Sequence, residues 1–275
     1  MNELALAPTS LPEADPLEFI VAAAAAGYDG VGLRLVRSPG LPFRPVLDDP
    51  PLVREIKRTL SGSGLRVLDI LSFYLEPDTS VAAFEPALEA SAEFGARYVL
   101  VMGADPDWDR QRDSLIRFHE LASRFGLVCA LEAAVMRPLA DLPGCLRLIE
   151  QSGCDDAVIC LDPLNFVRAG GKAADLRGLD PALFPYAQLT DGVLGPGEPD
   201  PALLGHMGPN QRRMIGEGDV PLAELLDALP PNLPLSVETP DMEQRGYSPK
   251  DWARITYDNA RAFLARYDNA RAEHS

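Results

Sequence analysis

Short apolar segments alternate with longer amphipathic segments along the whole chain. The apolar segments are rich in Val, Leu and Ile, which is typical of strands that are buried on both faces. They predict eight strands, at 4–7, 30–36, 66–73, 98–103, 128–133, 157–162, 186–190 and 235–240. Such nearly continuous apolar strands favour a parallel sheet that is covered by helices.

Helical patterns occupy the segments between these strands. The first begins with the capping residue Asp15 and Pro16 and ends at Gly27, residue types that favour a helix start and a helix end. Further helices are predicted at 50–63, 79–95, 109–125, 141–153, 172–179, 221–229 and 248–270. Eight strand–helix units predict an α/β fold of the (β/α)8 TIM-barrel type. An open doubly wound sheet is disfavoured, because the segment LALAPTSLPEADP at the first strand contains no glycine-rich turn.

The chain contains no Pro-, Gly- or Ser-rich linker, so one domain is predicted over residues 1–275. The hexapeptide YDNARA occurs at 257–262 and again at 267–272, and the second copy is predicted to lie in a frayed tail from about 265. The longest irregular segment, 192–219, lies between the seventh and eighth strands. Loops of this length are usually functional in compact domains, so 192–219 is expected to act as a lid.

Charge and cysteine content limit the partners and the compartment. The chain has 41 Asp and Glu against 25 Lys and Arg, a formal net charge of -16. Such a surface repels phosphate backbones and anionic lipids, which argues against nucleic acid and membranes as partners. The four cysteines show no CxxC spacing and are interpreted as reduced, buried residues of a cytoplasmic protein.

Acidic residues stand at the ends of several predicted strands. In a TIM barrel these ends form the active site, and the sequence places Glu132, Asp162 and Glu238 there, with Gln188 or Asp191 at the seventh strand. Buried carboxylates repel one another unless a cation lies between them. The oxygen ligands of Glu132, Asp162, Gln188 and Glu238 suit one Mn²⁺ or Mg²⁺ ion best, with Co²⁺ and Zn²⁺ as alternatives. In the alternative interpretation, each acid caps the next helix or pairs with an arginine.

Five sequence motifs resemble those of a known family. They are ALEA around Glu132, CLDPLN around Asp162, AQLTD around Gln188, RRMIGEGDVPL at 212–222 and LSVET around Glu238. In order and approximate spacing they resemble the xylose isomerase-like TIM barrels, which include sugar isomerases, sugar 3-epimerases, inosose dehydratases and endonuclease IV. The resemblance covers essentially the whole chain. It implies one metal ion held by side chains from the fifth to the eighth strand.

Two positions depart from the usual pattern of this family. Gln188 stands where most members have a metal-binding histidine, and here the chain is similar to the bacterial 3-dehydroshikimate dehydratases of the same superfamily. Asn165 stands where the third residue after the aspartate is commonly histidine, and we assign it to substrate binding. These replacements argue against a proton-transfer role for histidine.

The remaining candidates come from the segment between the last two strands. The family closes its site with a substrate-binding arginine, and Arg213 is predicted to face inward in preference to Arg212. His206, in the predicted lid, is a candidate substrate contact. Barrels of this family often form homodimers, which makes a homodimer the assembly that the resemblance suggests, although the sequence identifies no interface.

The strand-end carboxylates and the resemblance together predict proton-transfer chemistry on a small polyhydroxy carbonyl substrate. A metal that polarises the carbonyl of a polyhydroxy ketone favours deprotonation of the adjacent carbon. Glu132 and Glu238 flank this position and are predicted to remove and return the proton. The leading interpretation is a metal-dependent sugar isomerase or epimerase. A lyase of the 3-dehydroshikimate or inosose dehydratase type is the alternative that Gln188 favours, and a non-catalytic polyol-binding barrel is the third.

Overall fold

The eight apolar segments form one parallel sheet that closes on itself. The computed structural model describes residues 2–39, 41–194, 212–240 and 246–273. Its strands are β1 (Leu4–Leu6), β2 (Gly30–Arg34), β3 (Arg66–Leu75), β4 (Tyr98–Gly103), β5 (Val128–Glu132), β6 (Val158–Ile159), β7 (Ala187–Leu189), β8 (Asp191–Gly192), β9 (Arg212–Arg213) and β10 (Leu235–Val237). The large sheet has the order β6-β5-β4-β3-β2-β1-β10-β7, and a parallel bridge between Leu161 and Ala187 joins its two ends. The predicted TIM barrel is confirmed.

Helices cover the outside of the barrel. They are α1 (Pro16–Ala26), α2 (Pro50–Ser63), α3 (Glu85–Glu93), α4 (Trp108–Ser123), α5 (Leu142–Ser152), α6 (Pro163–Arg168), α7 (Ala173–Leu176), α8 (Leu222–Ala228) and α9 (Pro249–Glu273). The Asp15 side chain accepts a hydrogen bond from the Leu17 backbone N–H at 3.0 Å, which confirms the predicted cap. Gly27 ends α1 with φ 98°, a left-handed conformation that glycine adopts without strain. Within the described ranges, no helix combines the length and the hydropathy needed to cross a bilayer.

Two hydrophobic layers support the strand ends. Alternate strand residues, among them Leu71, Leu100, Ala130 and Tyr186, pack together inside the ring. A larger layer lies between the sheet and the helices. Because both faces of the strands are buried, their sequences are continuously apolar instead of alternating. All four cysteines are free and buried, as predicted.

The C-terminal helix is longer than the sequence pattern predicted. α9 continues to Glu273, so the tail that was expected to fray from about 265 is helical up to that residue. The Tyr267 hydroxyl donates a hydrogen bond to Asp227 at 2.8 Å, and the Arg271 guanidinium lies 3.2 Å from the same carboxylate. These contacts with α8 hold the last turns in place, and they could not be seen from local sequence.

The predicted lid is described only at its two ends. There β8 pairs with β9 in antiparallel register, with Asp191 opposite Arg213 and Gly192 opposite Arg212. His206 belongs to 195–211, which lie outside the described residues, so its substrate contact stays a prediction.

Candidate active site

Four polar side chains meet at the C-terminal edge of the barrel. Glu132 is the last residue of β5, Asp162 follows β6, Gln188 lies in β7 and Glu238 follows β10. Their exposed fractions are 7%, 2%, 2% and 7% in that order. The four strands are consecutive around the closed ring. The fold therefore brings together the set of side chains that the sequence singled out.

The two carboxylate oxygens of Asp162 have different partners. Oδ1 accepts hydrogen bonds from the Thr190 hydroxyl at 2.7 Å and from the Asn165 backbone N–H at 3.0 Å. The second of these bonds makes Asp162 the N-cap of α6, a helix that the sequence pattern did not predict. Oδ2 points to Arg212, with 3.0 Å between Oδ2 and Nη2. Helix capping thus fixes the carboxylate and leaves one oxygen for the site.

Glu132 is buried with weak polar partners. Asn165 Nδ2 donates to Oε1 at 3.3 Å, and Gln188 Nε2 donates to Oε2 at 3.4 Å. Burial, together with the negative charges of Asp162 and Glu238, raises the pKa of Glu132 well above its ordinary value. Among the described residues, the hydrogen-bond donors to this carboxylate are the neutral amides of Asn165 and Gln188.

The arginine that enters the site is Arg212, and the prediction that Arg213 faces inward is wrong. Arg212 Nη2 lies 3.0 Å from Asp162 Oδ2 and 2.7 Å from Glu238 Oε1, and its side chain is 11% exposed. Burial lowers the pKa of Arg212, but Glu238 and Asp162 outweigh burial and raise it above its ordinary value. Arg213 is exposed, and its Nη1 donates to the Arg212 carbonyl at 3.1 Å. Successive strand residues point to opposite faces, so a difference of one residue decides which arginine is inside.

Asp191 holds the segment that carries Arg212, a role that sequence reasoning missed. Its buried carboxylate accepts four backbone hydrogen bonds, at 2.8, 2.9, 3.0 and 3.2 Å, from Gly192, Gly216, Gly218 and Val220. A side chain at position 218 would collide with this carboxylate, which explains the glycine there. The available signal was an acidic residue directly after the seventh strand, combined with the GEG of 216–218.

The four strand-end side chains offer the ligand types that a divalent cation requires. Gln188 Oε1 is buried and accepts no hydrogen bond from the described residues. As they stand, no three His, Cys, Asp or Glu side chains in the described ranges are grouped closely enough to hold a metal ion. The guanidinium of Arg212 lies between Asp162 and Glu238, and its Nη2 is within hydrogen-bond distance of both carboxylates. The unpaired amide oxygen of Gln188 and the carboxylate oxygens of Glu132, Asp162 and Glu238 fit a cation, provided that Arg212 moves aside.

Glu132, Gln188 and Glu238 line a cavity of about 910 Å³ at the barrel mouth. This volume suits a small ligand. Asn165 also lines the cavity, next to Glu132, and its predicted substrate contact stays a prediction.

Comparison with known proteins agrees with this architecture. A family model described as the xylose isomerase-like TIM barrel matches residues 20–266. No curated protein sequence matches the chain. Among solved structures, the chain resembles the IOLI protein with a bound zinc atom, with a TM-score of 0.78 and 15% identity over 96% of this chain and 99% of that chain.

Two further solved structures have names that state a reaction. D-psicose 3-epimerase with D-tagatose, from Clostridium cellulolyticum H10, matches with a TM-score of 0.70 and 14% identity over 94% of this chain and 98% of that chain. The probable 3-DHS dehydratase AsbF from Bacillus anthracis matches with a TM-score of 0.71 and 14% identity over the same shares, 94% and 98%. The chain also spans 42% of a xylose isomerase-like TIM barrel/4-hydroxyphenylpyruvate dioxygenase fusion protein, which it resembles at 18% identity and a TM-score of 0.74. At these identities the likeness concerns the fold alone.

Proposed function

The chain belongs to the xylose isomerase-like TIM barrel family, and we propose that it is an enzyme that transfers a proton next to the carbonyl group of a small polyhydroxy ketone. The observation that carries the proposal is the convergence of Glu132, Asp162, Gln188 and Glu238 at one barrel mouth. Glu132 and Glu238 come from β5 and β10, with β6 and β7 between them in the ring, and both line the cavity. Two carboxylates so placed are suited to act on a substrate from different sides.

A divalent cation is the cofactor that this proposal includes. Glu132, Asp162, Gln188 and Glu238 would hold it, and it would supply Lewis-acid polarisation of the substrate carbonyl. Oxygen ligands favour Mn²⁺ or Mg²⁺, with Co²⁺ and Zn²⁺ as alternatives. The zinc atom of the structurally similar IOLI protein supports a divalent ion in general, and not a particular one.

The two glutamates are the groups that would move the proton. Burial is the main cause that raises the pKa of both Glu132 and Glu238 above the ordinary glutamate value. A carboxylate of raised pKa is a stronger base than an ordinary glutamate and is suited to take up a substrate proton and give it back. Arg212 would take the substrate-binding role that the sequence assigned to Arg213, because its positive charge can stabilise negative charge that develops on a substrate oxygen.

The place to which the proton returns decides the reaction. Return to the neighbouring carbon isomerises a ketose, and return to the opposite face of the same carbon epimerises it. This class leads our proposal, and the fold of D-psicose 3-epimerase supports it. The second candidate is a lyase, in which removal of the proton is followed by loss of a β-hydroxyl as water. Gln188 favours the lyase, because at this position the chain resembles the 3-dehydroshikimate dehydratases, and the AsbF protein has a similar fold.

Turnover in D₂O tests the proposal without knowledge of the natural substrate. The protein would be incubated with Mn²⁺ and a panel of ketohexoses, ketopentoses, inososes and 3-dehydroshikimate. Deuterium on carbon in an isomeric product supports the isomerase or epimerase, whereas loss of water with a new conjugated absorbance supports the lyase. Glu132→Gln and Glu238→Gln should each lower either signal by roughly 10²–10⁴-fold, since an amide cannot accept the proton.

Asp109→Asn provides the matched control for these charge-removing variants. The Asp109 side chain is 78% exposed on α4, so its loss should leave the rate unchanged. Activity that survives both glutamate substitutions would defeat the mechanism. Silence across the whole panel from protein that binds Mn²⁺ would leave a narrower substrate or the non-catalytic polyol-binding barrel.

We also propose a cytoplasmic location, without nucleic acid or membrane partners. The formal net charge of -16 and the free, buried cysteines support this. A homodimer stays a prediction, and light scattering on the purified protein would test it.

A further inference from the structure

A buried arginine that the proton transfer does not use lines the same cavity. Arg168 is the last residue of α6, is 5% exposed, and lines the cavity together with Glu132 and Glu238. Its Nη2 donates to the Val193 carbonyl at 2.8 Å, whereas its buried Nε has no hydrogen-bond partner among the described residues. One donor of this buried arginine is therefore unsatisfied.

The described protein does not neutralise the positive charge of Arg168. No described carboxylate forms an ion pair with it, and the nearby Asp162 is paired with Arg212 instead. Burial lowers the pKa of Arg168, the charge of Arg212 lowers it further, and Asp162 offsets these effects only in part. Buried charges normally have a counter-ion, because removing an ion from water is costly. A buried guanidinium without one, in a ligand cavity, indicates that the counter-ion arrives with the ligand.

A second arginine that forms no ion pair with a described carboxylate reaches this cavity. Arg137, on the loop after β5, lies over the ring of Tyr74 with 4.9 Å between the guanidinium carbon and the ring centroid, and both residues line the cavity. Stacking on the ring orients the guanidinium and leaves its edge donors for a ligand. The acidic residues Glu13 and Glu18 also line the cavity, but both are exposed to solvent. They do not compensate the buried charge of Arg168.

We propose that the substrate is an anion, a polyhydroxy ketone with a carboxylate or phosphate group, and that Arg168, assisted by Arg137, binds this group. Guanidinium donors match the oxygens of both kinds of anion. A neutral sugar would leave Arg168 buried and unpaired in the complex. The carbonyl chemistry of this substrate rests on the proposed function, whereas the anion site can be tested by binding alone.

Three probes with one six-carbon polyol skeleton separate the alternatives. D-glucitol is neutral, D-gluconate carries a carboxylate and D-glucitol 6-phosphate carries a phosphate. Isothermal titration calorimetry of the full chain in EDTA would measure the affinity for each probe without a bound metal. At least one anion should bind about tenfold more tightly than D-glucitol, the gain expected from one charge-assisted contact. The preferred anion identifies the group.

Substitutions identify the residue that gives the anion its higher affinity, called the anion advantage below. Arg168→Gln should remove most of it, and Arg168→Lys, which keeps the charge without the planar donors, should keep part of it. Should Arg168→Gln fail to fold, Arg137→Gln should give a smaller loss in the same titration. Arg58→Gln is the matched control, because the Arg58 side chain is 77% exposed on α2, and it should keep the full advantage.

Three results would overturn the inference: equal affinity for all probes, no measurable binding of either anion, or an advantage that persists in both Arg168→Gln and Arg137→Gln. Glu132→Gln should keep the anion preference although it loses proton exchange. Failure of the proposed reaction and failure of the anion site therefore give different results.

Discussion

A cluster of three buried acidic residues and a single buried aspartate lie inside the same barrel, and they are stabilised in different ways. At the mouth, Glu132, Asp162 and Glu238 lie together, and Arg212 bridges two of them. Deeper in the ring, Asp69 of β3 is 0% exposed, and no described cation forms an ion pair with it. Burial raises the pKa of Asp69 to about 7.

The difference shows which property marks a functional site. A single buried carboxylate can be neutralised by a proton, whereas three that converge repel one another and call for a cation. Burial and a raised pKa are common to Asp69 and Glu132, so neither property distinguishes them. What distinguishes the functional site is that several carboxylates converge at the strand ends, next to an open cavity.

Removal of the Arg212 guanidinium, which bridges Asp162 and Glu238, should have the largest effect. In Arg212→Met two carboxylates lose their partner, and the free energy of unfolding in EDTA should fall by about 3 kcal/mol, the size expected for one half of a buried ion pair. Mn²⁺ should bind this variant at least about tenfold more tightly than wild type, since no guanidinium must be displaced. Denaturant unfolding and calorimetric titration measure the two effects.

Arg213→Met is the matched control for this pair of measurements. Its guanidinium is exposed, so both stability and Mn²⁺ affinity should stay at wild-type values. Equal Mn²⁺ affinity in wild type and Arg212→Met would show that Arg212 does not compete for the site.

Asp69→Asn should alter the pH dependence of stability and leave ion binding intact. The pKa of Asp69 is about 7 in the folded chain, and roughly 3.9 when unfolded. Between these values the unfolded chain has released a proton that the folded chain keeps, so wild-type stability falls as pH rises and levels off above about 7. The stability of Asp69→Asn does not fall in this way, because its side chain stays neutral. The free energy of unfolding of the variant, relative to that of wild type, should therefore rise by on the order of 2 kcal/mol from about pH 5 to about pH 8, at about 1.4 kcal/mol per pKa unit.

Denaturant unfolding at the two pH values measures this gain, and a constant difference between the two proteins would show that Asp69 is charged in the fold. Mn²⁺ affinity should be equal in both proteins, because Asp69 lies outside the mouth cluster. A lower Mn²⁺ affinity in Asp69→Asn than in wild type would show that Asp69 is not separate from the mouth cluster.

The smallest expected effect concerns the support of one mouth carboxylate. Thr190→Val keeps the side-chain shape but removes the hydroxyl that donates to Asp162 Oδ1 at 2.7 Å. Mn²⁺ affinity should fall about tenfold, as is usual when a ligand loses its orienting hydrogen bond. Ser236→Ala is the control, because the buried Ser236 hydroxyl has no hydrogen-bond partner in the described residues. Equal losses in both variants would mean that the Thr190 bond does not orient the ligand.

The architecture was predictable because its signals are local. Each strand is a continuous apolar segment, and caps such as Asp15 and Gly27 mark helix ends in the sequence itself. The mouth acids were predictable for the same reason, since Glu132 and Glu238 directly follow apolar segments whose ends meet in any TIM barrel.

Features that depend on tertiary contacts could not be predicted. The choice between Arg212 and Arg213 depends on the register of a two-residue ribbon, and two adjacent arginines contain no signal for it. Asp191 gains its role only where distant backbone N–H groups converge on it. The helical C-terminus likewise depends on the contact between Tyr267 and α8.

Anomalous scattering from Mn²⁺-soaked crystals tests the central claim most directly. One Mn²⁺ peak should lie within roughly 2.0–2.6 Å of oxygens from Glu132, Asp162, Gln188 and Glu238, with the Arg212 guanidinium moved away from Asp162 and Glu238. A peak elsewhere, or the four side chains without a peak while Arg212 still bridges the carboxylates, would contradict the claim that this mouth is a cation-binding active site.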